Sequence, residues 1–215
     1  MPQVAIMLPN GTVEKVDRES KESLDALRQV AALLLKAALQ DQFKGIRLGE
    51  AVAEEDQFFV DSDKDNQQVS ADELEGLERA VKKLAKENLK IELVKVSVDD
   101  AVKAVEGDQF SSELLKENAE DGQVSLYKMG DATILAQAPI MLYANLVKNV
   151  KLLSVAGAYW KGMSSNPMLQ RIYGTVFFKK EDLEADLKAR QEARERDHRV
   201  IGNQLDLFFV DPKVG

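Results

Sequence analysis

The 215-residue sequence contains no cysteine and a single histidine, His198. The first absence excludes disulfides and thiolate metal sites, and the second excludes any site built from two imidazoles. No run approaches the roughly 18 uncharged apolar residues that span a membrane. The opening MPQVAIMLPNG has no basic segment leading into a long apolar stretch, so no signal peptide is expected. Glycine-rich phosphate-binding motifs are missing as well, and no segment repeats or is of low complexity. These absences point to a cytoplasmic protein with no metal, no cofactor and no membrane among its expected partners.

What is present is ordinary for a folded chain: 45% hydrophobic and 31% charged residues. The net charge of −8 is unevenly spread. All of the acidic excess lies in residues 1–141, whereas 142–215 are net positive. Between Leu142 and Lys180 the cations Lys148, Lys151, Lys161, Arg171, Lys179 and Lys180 meet no acidic residue. An acidic body repels phosphates over most of its surface, so DNA is not an expected partner. Contact with RNA would be local to the carboxy-terminal third. Tyr159, Trp160 and Tyr173 lie among those cations. Flat rings beside positive charges suit bases and phosphates, but they pack equally well in a core.

In chain order, Pro9-Asn10-Gly11 between short apolar runs predicts a hairpin. A largely apolar helix is predicted over residues 20–43, then loop and strand over 46–61. Ser70 with Glu73 forms a capping-box signal for a second helix to about residue 88. A strand over 91–96 and a short helix from Ser97 follow; the polar stretch 107–122 reads as loop with a short element near Leu114. Strands are expected at 123–129 and 132–136, and a charged helix from 181 to about 200. Mixed helices and short strands give an α+β class. Asp61-x-Asp63-x-Asp65 begins like a calcium loop, but position 6 is Asn66 rather than glycine and the last acid is Asp72 rather than glutamate, so no metal site is expected.

The order of residues is more specific. AGAYWKG (156–162), MLQRIYGT (168–175) and DHRVIGNQLDLF (197–208) closely resemble the region joining the editing domain to the catalytic core in bacterial threonyl-tRNA synthetases. The resemblance implies a threonyl/alanyl-tRNA synthetase editing-type domain, helices packed on antiparallel sheet, followed by a linker helix. It divides the chain into a hairpin remnant (1–20), the editing-type domain (21–178, with 142–178 like the family's second additional domain) and a charged linker (179–215). The catalytic core would begin where the sequence stops, so this chain is not expected to aminoacylate.

In that family an HxxxH pair on the first long helix meets a CxxxH pair, and serine is removed from threonine tRNA; related alanyl-type domains hold zinc in a similar constellation. Residues four apart on a helix share a face, which lets two imidazoles converge. Here RQVAALLLKAAL (28–39) places Gln29 and Leu33 at the HxxxH positions. Counting back from AGAYW puts Ala136 and Ile140 at the CxxxH positions and Ile134 at the preceding aspartate. Ser111 is matched to the lysine of a Y-K-x-E-L-I strand. With one histidine and no cysteine, imidazole catalysis and a zinc-bound water have no residues to carry them. His198, between Asp197 and Arg199, reads as an interface or capping residue. The expectation is therefore an editing domain without deacylase activity that positions tRNA or braces the core of the synthetase. Lys151, Tyr159, Trp160, Lys161 and Arg171 are the candidate tRNA contacts. The alternatives are a freestanding binding or regulatory module and a deacylase with a histidine-free mechanism.

Overall fold

In the computed structural model, residues 2–65 and 68–196 are described. They hold ten strands and five α-helices, and every strand pairing is antiparallel, giving an α+β architecture. The chain divides into two compact units, residues 1–178 and 179–215.

The first unit is built round one helix. Ser20 accepts from the Ser23 amide and opens α1 (Lys21–Gln42), whose residues from Ala26 to Leu35 are all buried. Most of them are Ala, Leu or Val, so the helix has no polar face to leave in water and can only sit inside. Strands β1 (Gln3–Met7) and β2 (Val13–Asp17) form the Asn-Gly hairpin. β3 (Arg47–Glu54) and β4 (Gln57–Asp63) form a second hairpin. The sequence pattern gave one strand there, because β3 is interrupted by a register shift between Leu48 and Ala51 that breaks its alternation.

Helix α2 (Ala71–Lys86) starts at the expected capping box and packs on α1. β5 (Glu92–Ser97), α3 (Val98–Ala104), α4 (Gln109–Glu117), β6 (Gln123–Met129) and β7 (Ala132–Leu135) follow. A two-residue strand, β8 (Ile140–Met141), then leads to β9 (Asn149–Tyr159) and β10 (Met168–Phe177). The three sheets have the orders β2-β1-β8, β3-β4-β10-β9 and β5-β6-β7. Gly174 of the MLQRIYGT run sits at the β9–β10 bulge, where an added Cβ would stand 2.3 Å from the Phe58 ring.

The first hairpin belongs to the body: Ile6 and Met7 pair with Met141 and Ile140 and are buried in the main core. Tyr127 donates its hydroxyl to the Met7 carbonyl at 3.2 Å, and burial pushes its pKa up to about 12. In the second unit α5 (Lys180–Glu195) has no buried residue and carries i,i+4 pairs such as Lys180–Glu184 at 3.0 Å. Residues 197–208, with His198, lie outside the described residues.

Candidate functional site

Four of the six positions matched to an editing site are apolar here. Leu33, Ile134 and Ile140 are 0%, 4% and 0% exposed and belong to one apolar cluster, with half-buried Ala136 packed against it. Gln29 is buried too, yet its amide is satisfied: Oε1 accepts from the Ala53 amide at 2.9 Å, and Nε2 lies 3.4 Å from the Ala51 carbonyl. It therefore serves backbone groups of β3, the edge strand of its sheet.

Ser111 lies elsewhere. It is on α4, whose N-cap Asp108 accepts from the Phe110 and Ser111 amides at 3.1 Å. The other Asp108 oxygen accepts from the Leu48 amide at 2.7 Å, and the Ser111 hydroxyl is 2.8 Å from both that oxygen and the Leu48 carbonyl. Ser111 thus ties α4 to β3. A helical position cannot correspond to the lysine of a strand motif.

Between α1, β3, α4 and β7 a pocket of about 260 Å³ remains open. Ser111 and Ile134 line it, while Gln29, Leu33, Ala136 and Ile140 do not. Its charged lining residues are Lys36, Glu50, Glu117 and Lys161. Lys36 is half-buried, and its side chain makes no hydrogen bond or ion pair with any described residue. Burial holds its amine below the ordinary lysine range, an effect that the Asp108 carboxylate offsets in part. Glu50 is shifted the other way: burial, then the Asp61 carboxylate, raise its pKa, and Arg171 opposes them. One pocket thus holds an amine pushed towards its neutral form and a carboxyl pushed towards its protonated form, the pattern of an acid–base site.

The candidate tRNA contacts divide by exposure. Trp160 is 3% exposed, meets Phe110 edge-on at 5.1 Å and donates Nε1–H to Glu113 at 2.9 Å, so its ring offers no face for stacking. Gly49 is needed beneath it, since an added Cβ would lie 2.7 Å from the indole. Lys161, in the left-handed region at φ 54°, pairs with Glu113 at 2.6 Å and with Glu117; these partners hold its pKa above the usual lysine value. Arg171 makes two bonds to Asp61, at 2.7 and 2.8 Å, and lies 3.7 Å above the Phe59 ring. Lys151 pairs with Glu78 at 3.0 Å and stays partly exposed. Tyr159 is 41% exposed, beside the exposed Met163 and Met168.

No family model matches the chain. Individual relatives do. A threonine-tRNA ligase of Levilactobacillus brevis is 56% identical over 207 residues, covering 96% of this chain and 32% of that protein. Those of Lactiplantibacillus plantarum and Pediococcus pentosaceus are 48% and 46% identical, with the same coverage of both partners. The chain is homologous to the amino-terminal part of threonine-tRNA ligases. It spans 32% of the length of these relatives.

The ligase resemblance was legible in the sequence, but two features of the site were not. Lys36 occupies an unassigned position in the helix motif; its signal was a lysine seven residues after Gln29, on a face otherwise filled by Leu33. Glu50 gave no signal, because the β3 irregularity hid which face it takes. Asp61, Asp63 and Asp65 are engaged by arginines: Asp61 by Arg171, and Asp63 and Asp65 by Arg47 at 2.7 and 3.0 Å. No helix among the described residues is long and apolar enough to cross a membrane.

Proposed function

We propose that the chain is the editing-type region of a threonine-tRNA ligase in which the seryl-tRNA deacylase site has become core. Its remaining role is to position the acceptor end of threonine tRNA or to brace the catalytic part of the ligase, in the cytoplasm. The observation that carries this reading is the fate of the matched positions. Leu33, Ile134 and Ile140 sit in one apolar cluster at no more than 4% exposure, and the Gln29 amide is occupied by β3. Side chains that fill a cleft leave neither a water nor an ester carbonyl within reach of it. Among the five candidate tRNA contacts, Tyr159 has the most freely offered aromatic face and Lys151 the most exposed cation.

The test is release of serine from seryl-tRNA specific for threonine, followed together with tRNA binding. The expected result is no release above buffer, with or without zinc, and binding weakened several-fold by Tyr159→Ala. Chelator-resistant release that Glu50→Gln abolishes would overturn the loss of activity and establish histidine-free hydrolysis.

A further inference from the structure

We propose that Lys36 makes the pocket between α1 and α4 a covalent site for small uncharged aldehydes, its amine forming an imine while Glu50 supplies the proton with which water leaves. Three observations converge on this. Lys36 lines the pocket and has no hydrogen-bond or ion-pair partner among the described residues, so nothing in the fold occupies its lone pair. The walls facing it include Val52, Leu114, Leu115, Ile134 and Leu135, which desolvate an amine and favour its nucleophilic form. The fold's own effects on Lys36 and Glu50 point the same way: the amine is easier to deprotonate and the carboxyl easier to protonate than in water.

The lining also selects the class of ligand. The charged lining is two cations, Lys36 and Lys161, against two carboxylates, Glu50 and Glu117, so the pocket has no net charge with which to hold an ion in preference to an uncharged carbonyl compound. At about 260 Å³ the space is smaller than the range occupied by drug-sized ligands, so the aldehyde is a small one. The step balances without an oxidant or reductant. The Lys36 nitrogen bonds to the carbonyl carbon, the C=O π pair moves to oxygen, and a nitrogen proton passes to that oxygen to give the carbinolamine. Glu50 then protonates the hydroxyl, water departs as C=N forms, and the remaining nitrogen proton returns to Glu50. This chemistry stands whether or not tRNA reaches the pocket.

Benzaldehyde with cyanoborohydride as the trapping reductant, at pH 7 and with peptide mass spectrometry as readout, tests it. The amine at Lys36 is expected to be alkylated several-fold faster than the exposed Lys44, because burial favours its neutral form. The rate at Lys36 should saturate with aldehyde concentration, while Lys44 responds linearly. Lys36→Arg keeps a cation and should lose that adduct with unfolding unchanged. Glu50→Gln should slow Lys36 several-fold and leave Lys44 alone. Labelling of Lys36 at or below the Lys44 rate, or a rate without saturation, overturns the site; an unchanged rate in Glu50→Gln overturns the assignment of the proton donor.

Discussion

Gln29 and Leu33 end inside protein, whereas Lys36, on the same face of α1 at the next turn, ends in a pocket. The sealed half tolerates only groups that need no water: an apolar side chain, or an amide with backbone partners on both of its ends. The open half keeps a cation whose side chain has no hydrogen-bond or ion-pair partner among the described residues, and a cavity beside it. Burying an ion alone is far more costly than burying a methyl or a bonded amide, so the pocket and the lysine are two aspects of one condition. The polar group that opens onto a cavity on this face of α1 is found one turn along the helix.

Substitutions can break this contrast or sharpen it. The largest effects belong to the sealed half: Leu33→Ala or Ile140→Ala should each cost about 2–5 kcal/mol in denaturant unfolding, since both side chains are wholly buried. Values near zero for both would mean that the cleft is not core. Gln29→Ala should come next, at about 1–3 kcal/mol, because it strands the Ala53 amide and the Ala51 carbonyl.

The open half should give the opposite sign. Lys36→Met removes a poorly solvated charge at similar volume and should stabilise by about 1 kcal/mol or less. A lysine whose pKa falls on folding carries its full penalty at pH values below the lowered folded value, where both states are charged but at different cost. It fades as pH rises from the lowered folded value towards the ordinary 10.5. Thermal unfolding of both proteins across that range should therefore converge at high pH. The smallest effect belongs to neither half: Lys151→Ala should change stability by less than about 0.5 kcal/mol, as Glu78 keeps Lys82 at 2.7 Å.

Local signals made much of the fold legible. The Asn-Gly hairpin, the Ser70–Glu73 capping box, the Ser97 cap and the apolar helix after Ser20 are all where the sequence places them. Helix α4 was not legible, since its cap residue Asp108 is fixed by Leu48, 60 residues away. At the site, the apolar character of Leu33, Ile134 and Ile140 was plain from sequence, but the persistence of a pocket beyond them was not. Whether a cleft closes depends on how β3, α4 and β7 meet, and no single periodicity records that.

The short strand β8 bears on how the chain is made. Ile6 and Met7 find Met141 and Ile140 only after about 135 further residues have been synthesised, on the order of ten seconds at ribosomal rates. Until then the inner edge of the first hairpin has no strand neighbour, which is when a waiting chaperone or a neighbouring nascent chain could claim it. The body therefore cannot fold in step with its emergence. The first hairpin waits for the Ile140–Met141 segment, and β4 waits longer still for its neighbour β10.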